Sequence, residues 1–318
     1  MPGAHDTVPL TEVIDRQRRA CDRAGSTLYV TLLDAIADDV AAGGPCGAVL
    51  GPHEGDTLGS ALPLRFLGAV HWLVLGGAAP ALARHYPSVG GTPGPGLVDD
   101  FLATVAAGAD DIEARIGLPV QTNEVGRSAV LVGGYLEVAR RSGLPLRVLE
   151  VGASAGLNLR WDHFWYDTGD STFGDPASPV RFEGTWSGPA PRLDDVAVTV
   201  ADRAGCDAAP LVVATRDGRR QARSYVWPDM AARLARLDGA LEVAARVPAV
   251  VERADLGAWV EQRLAAPVPG VATVVAHSIV WQYVSPPSRD RLRFALRRAG
   301  VAATDESPVA WLRMEPAG

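Results

Sequence analysis

With 318 residues, 47% of them hydrophobic, the chain holds enough apolar material for a large core, which excludes global disorder and leaves room for one large or two modest domains. A formal net charge of -7 and the lack of any long basic run argue against a nucleic-acid partner. Cys21, Cys46 and Cys206 lie far apart with no C-x-x-C pair, so neither a disulfide framework nor a metal site is expected; with no secretory or membrane-length apolar run, a cytoplasmic protein with no membrane partner is the expectation.

The predicted elements begin with helix. Apolar residues recur at helical spacing through residues 8–42 (Val13, Ile14, Leu28, Leu32, Leu33, Ile36 and Val40), and Gly43, Gly44 and Pro45 form the stop. Further helices are expected over Leu62–Leu75, ended by Gly76 and Gly77, and over 97–116 and 126–141, with the Gly/Pro-rich stretch 90–96 as a loop. Residues 1–143 thus read as a helical region packing on a core. From Leu146 strands and helices alternate, which predicts an α/β domain over 144–318 built on a Rossmann-like, mainly parallel sheet. Its expected strands are 147–151, 249–253, 271–276 and 309–314. Residues from about 161 to 227 are too many for a plain connection, so an insertion or lid is expected there. Within it Val196, Val198 and Val200 alternate like a strand, although the same residues could start a helix through Arg203.

The segment Leu146–Leu159, LRVLEVGASAGLNL, carries the strongest functional signal. Val148, Leu149 and Val151 read as buried strand, and Glu150 stands at its carboxyl end, where open α/β sheets place their ligands. Gly152, Ala153, Ser154, Ala155 and Gly156 follow as a turn with almost no side-chain bulk, so backbone can approach a ligand closely while Glu150 accepts from ribose hydroxyls or a charged amino group. Because Ser154 stands between the two glycines, the loop does not fit G-x-G-x-x-G, and a dinucleotide pyrophosphate is not expected. Downstream, an apolar strand ends at His277 and Ser278, with Trp281, Gln282 and Tyr283 just beyond; His277 is either a general base or a hydrogen-bonded structural residue. In QTNEVGRSA, Asn123, Glu124 and Arg127 either begin the following helix or project over the crevice. Trp161, Trp165 and Tyr166, interleaved with carboxylates such as Asp162 and Asp167, either wall a cationic or polar organic substrate or pack an extended helix end against the sheet. Asp255 stands where an N-cap belongs.

The spacing of Leu146–Leu159 resembles motif I of class I S-adenosylmethionine-dependent methyltransferases. That resemblance implies S-adenosylmethionine as cofactor, held by Glu150, Gly152, Ser154, Gly156 and Asn158, with Asp255 at the position that recognises the adenine amino group. Asp207 matches the acidic second-strand position that binds ribose. Catalytic roles then fall to His277, Glu124 and Tyr283, and substrate contacts to Asn123, Arg127, Trp161, Trp165 and Tyr166. Six segments in order (HWLVLGG, LARHYPSVGG, QTNEVGRSA, LEVGASAGLNLRWDHFWYD, SYVWPDM and VVAHSIVWQYVSP) resemble the bacterial family known as domain of unknown function 2332, across nearly the whole chain. The expected activity is methyl transfer to a small molecule. The alternatives are a cofactor-independent specialised-metabolite enzyme, performing elimination or aziridine-type ring closure on an amine, and a non-catalytic binding subunit; homo- and hetero-oligomers are open in each case.

Overall fold

The computed structural model describes residues 8–56 and 61–316. Its α-helices in chain order are α1 (Leu10–Arg23), α2 (Thr27–Ala41), α3 (Pro45–Leu50), α4 (Leu62–Leu75), α5 (Pro80–Ala83), α6 (Leu97–Ala107), α7 (Ala109–Ile116), α8 (Ser128–Ser142), α9 (Arg216–Ser224), α10 (Ala231–Arg246), α11 (Leu256–Arg263) and α12 (Pro286–Ala302). The strands are β1 (Leu146–Val151), β2 (Trp165–Asp167), β3 (Thr172–Phe173), β4 (Arg181–Glu183), β5 (Val200–Asp207), β6 (Val250–Arg253), β7 (Ala272–Ser278) and β8 (Val309–Met314). They form two compact units, one of residues 1–122 with 216–234 and one of residues 123–215 with 235–318.

The described elements of the first unit are helical. The helix expected through residues 8–42 is broken into α1 and α2 at Gly25, whose φ of 82° is left-handed. Ser26 then caps α2, its hydroxyl accepting from the Tyr29 amide. Likewise the helix expected over 97–116 divides at Gly108 into α6 and α7. Phe66 and Phe101 meet edge to face at 6.2 Å in a core they share with Leu32, Leu33 and Ile112. Residues 216–234 return to this core. Asp229 accepts from the Ser26 hydroxyl at 2.7 Å and the Leu28 amide at 3.0 Å, and the Arg220 guanidinium lies 3.0 Å from the Trp72 ring centre.

The second unit is built on a five-stranded parallel sheet of order β6-β5-β1-β7-β8. Chain order therefore reverses between β1 and β7, which makes their carboxyl ends the topological switch point where doubly wound sheets bind ligands. Leu149, Val151 and Val275 face α11 and α12, packing with Trp259, Val260 and Leu292. On the other face α8 approaches so closely that a Cβ on Gly134 would stand 2.3 Å from a Leu312 methyl. That contact explains why α8 groups with the sheet and the division falls at 122/123 rather than near the expected 143. The residues around Val200 are strand, not helix: β5 supplies the second core strand, paired to β1 from Leu146↔Val200 to Val151↔Cys206. Between β1 and β5 the inserted chain makes a small sheet of order β3-β2-β4. The last part of the expected 161–227 insertion, 216–227, follows β5 and belongs to the first unit.

Candidate functional site

The loop that follows β1 is held almost entirely by the chain itself. The Gly152 and Ala153 amides donate to the Cys206 carbonyl at 2.9 and 3.0 Å, the Ser154 amide to Asp207 Oδ2 at 2.9 Å, and the Gly156 amide to the Ala153 carbonyl at 2.6 Å. Gly152 and Ser154 are both left-handed, with φ of 69° and 51°. For Gly152 the second requirement is space: a Cβ there would stand 2.4 Å from Val280 Cγ2. A side chain of the loop after β7 thus occupies the room that the glycine leaves. Gly205 on β5 is small for a similar reason, since a Cβ would fall 2.7 Å from that of Ala153.

Glu150 is the central feature of the edge. It is 4% exposed, and its Oε2 has no hydrogen-bond partner. Burial pushes its carboxyl up to about 8, and the Asp207 charge adds to the rise, while Arg127 and Arg160 oppose it. Arg160 is itself buried, donating through Nε to the Val247 carbonyl at 2.8 Å and through Nη1 to the Gly156 carbonyl at 2.6 Å. Arg127 donates to the Ser278 carbonyl at 2.9 Å, which fixes it at the carboxyl end of β7. The Ser154 hydroxyl is a second buried polar group without a partner.

The 123–127 segment is joined to this edge. Asn123 Oδ1 accepts from the Leu157 amide at 2.8 Å, and Asn158 links the Ser128 hydroxyl (2.7 Å) to the Glu124 carbonyl (3.3 Å). The Glu124 carboxylate accepts from the Gly126 amide at 2.9 Å and lies 3.8 Å from Arg236. Asn123, Asn158, Arg127, Glu150, Gly152, Ser154 and Gly156 are therefore brought together, while Asn158 and Asn123 spend side-chain atoms on internal bonds.

Other expected site residues are placed elsewhere. Glu150 pairs in register with Ala276, so the next residue, His277, projects from the opposite face of the sheet. His277 is 1% exposed, its ring stacked on Trp281 (5.4 Å, 14°) and its Nδ1 2.7 Å from Glu315 Oε1. Burial lowers its pKa, with the Glu315 hydrogen bond opposing. Tyr283, by contrast, is 60% exposed. Trp161 and Tyr166 are core residues rather than substrate walls. Trp161 stacks between Tyr135 at 4.4 Å and Phe173 at 5.6 Å, and Tyr166 stacks on Phe182 at 5.0 Å while its hydroxyl donates to the Trp161 carbonyl. Trp165 is half-buried on β2, with Arg181 5.6 Å from its ring centre. Asp255 caps α11, accepting from the Ala258 amide at 2.9 Å, and the rest of its carboxylate is open at the end of β6.

Three residues escaped the sequence reading. Arg160 and Val280 act through positions that only the folded loops define. Glu315, which accepts from the Val280 and Trp281 amides as well as facing His277, lies beyond β8 in a segment with no motif of its own. Asp207 was visible as an acid, but its role as the carboxyl end of a core strand depended on recognising β5.

A parallel, doubly wound sheet bearing acids at the carboxyl ends of β1 and β5, and just past that of β6, defines a Rossmann-like α/β protein whose topological switch point lies between β1 and β7. The family model described as "Uncharacterized protein conserved in bacteria (DUF2332)" matches residues 11–318, and the chain belongs to that family. No curated protein and no solved structure matches it. Among the described residues no helix is long and apolar enough to cross a membrane, and no group of three His, Cys, Asp or Glu is placed to hold a metal ion.

Proposed function

We propose that the carboxyl edge of the sheet is the active site of a small-molecule methyltransferase that uses S-adenosylmethionine. The observation that carries this reading is the buried Glu150 carboxyl near the end of the central strand, whose Oε2 has no hydrogen-bond partner. An unmatched polar group in the interior costs stability unless a ligand completes it, and one at a switch point faces the usual ligand crevice. The donor set fits the cofactor's polar groups. Asp207 and Asp255 are acceptors for ribose hydroxyls and the adenine amino group, and the Glu150 carboxyl and Ser154 hydroxyl offer unspent hydrogen-bonding capacity beside them. When bound, the cofactor supplies an electrophilic methyl group. The chain's part is to bind and orient the acceptor, and Arg127, fixed by the Ser278 carbonyl, provides a positive anchor near Glu150 for that purpose.

A second reading is favoured by Val280, whose side chain fills the space beside Gly152. In it the cofactor plays no part, and Glu150, with its pKa near neutrality, moves a proton to or from an amine substrate during elimination or ring closure. Calorimetric titration with S-adenosylmethionine and S-adenosylhomocysteine separates the two. Saturable binding of either, weakened at least tenfold in Glu150→Gln, is expected; a folded protein that binds neither overturns methyl transfer and leaves the second reading.

A further inference from the structure

A cavity of about 140 Å³ opens at the other end of the parallel sheet. Arg147, Thr273 and Val309 line it, and these are the first or second residues of β1, β7 and β8, so it lies at the amino edge, away from Glu150. Its walls divide by chemistry. Leu264, Ala299, Ala302 and Val309 make an apolar side, while Arg147, Arg298, Thr273 and Ser307 supply cations and hydroxyls.

The charges there are unbalanced. The Arg147 side chain is 13% exposed; its Nη1 donates to the Arg263 carbonyl at 3.2 Å and its Nε lies 3.5 Å from the half-exposed carboxylate of Asp202. Arg298 has no ion pair or hydrogen bond among the described residues, and the Thr273 hydroxyl makes no hydrogen bond there either. Two arginines, the largely buried Arg147 and the exposed Arg298, thus line one recess, with the half-exposed Asp202 carboxylate beside Arg147, in a chain whose formal net charge is -7. Such a concentration of arginine at a small, half-apolar recess suits an anion that also has a hydrocarbon part, because guanidinium pairs with carboxylate and the alanine and leucine surface prefers methylene to water.

We propose that this cavity binds a small aliphatic monocarboxylate, its carboxylate between Arg147 and Arg298 and its tail against Leu264, Ala299 and Ala302. The volume limits the occupant to a small acid, and propionate, with three carbons, is a probe of that class. The site is independent of the activity at the carboxyl edge, and a failure of S-adenosylmethionine to bind leaves it untouched.

The test uses the whole chain and sodium propionate at constant ionic strength, followed by calorimetry and by thermal denaturation. Saturable binding with a rise in melting temperature is expected. Propionamide, which has the shape without the charge, should give neither, and sulfate, which has charge without a tail, should bind at least tenfold more weakly. Arg298→Gln should weaken propionate at least tenfold, and Ala302→Leu, at a solvent-exposed end of α12, should block the recess while leaving the circular dichroism unchanged. The proposal is overturned by absence of saturable binding, by propionamide or sulfate binding as well as propionate, or by propionate binding that Arg298→Gln leaves as it was.

Discussion

A carboxyl group withdrawn from water keeps its proton until the solution is basic enough to outweigh the cost of a buried charge, and Glu150 is in that position. Its two neighbouring arginines soften the cost without forming a hydrogen bond to Oε2. The unfolded chain ionises this residue near 4.5 and the folded chain near 8, so between those values the native state binds more protons than the unfolded state. Stability contributed by the protonated carboxyl is therefore present below about pH 4.5, falls through the window, and is fully lost above pH 8, with a slope of about 1 kcal/mol per pH unit. Glu150→Gln keeps the shape and removes the titration. Urea denaturation from pH 5 to pH 9 should show the variant gaining on the parent protein as pH rises to about 8 and levelling off above it; parallel curves would mean that Glu150 is ionised throughout. Trp161 offers the contrasting case of an aromatic residue that serves the core. Trp161→Ala should destabilise the protein by about 3 to 5 kcal/mol, measured by the same method, because it removes a fully buried ring stacked on both faces.

At the scale of elements, the decisive contact joins the loop after β1 to the loop after β7. Ile279 adopts φ of 50°, a left-handed conformation that a β-branched side chain rarely takes, and the turn it makes sets Val280 against Gly152. Glu315 holds this turn from beyond β8 by accepting from the Val280 and Trp281 amides. A methyl group on Gly152 would meet two separate penalties, the left-handed backbone and the Val280 side chain, so Gly152→Ala should cost about 2 to 4 kcal/mol. In a Val280→Ala background the steric part should largely vanish and the backbone part, about 1 kcal/mol, should persist. A double-mutant cycle by equilibrium denaturation measures the difference, and additive effects would show that the two loops do not touch.

Across the whole molecule, the elements legible in the sequence were those with a strong apolar run and clear stops: α4 lies at Leu62–Leu75, and β1 and β8 fall within a residue of their expected limits. β5 was harder to read because Ala201, Asp202 and Arg203 are not buried at its start, so the apolar signal is confined to its last half. The gathering of Glu150, Gly152 and Ser154 at one strand end followed from their adjacency, whereas the separation of His277 from Glu150 followed from strand register, which two distant segments set jointly. The aromatic cluster was ambiguous for a different reason: composition is the same for a substrate wall and a packed core, and only the stacking of Trp161 and Tyr166 distinguishes them. The cysteines extend this reasoning to global opening. Cys21, Cys46 and Cys206 are all free and buried, and burial raises each thiol pKa, which suppresses the reactive thiolate. A thiol reagent should therefore modify none of them quickly in the native protein and all three in denaturant, with native labelling at neutral pH limited by unfolding rather than by reagent concentration. Cys21 and Cys46 lie in one unit and Cys206 in the other. Mass-resolved labelling at rising urea thus reads the two units separately: simultaneous modification of all three marks a single cooperative transition, and earlier modification of one set marks the unit that opens first.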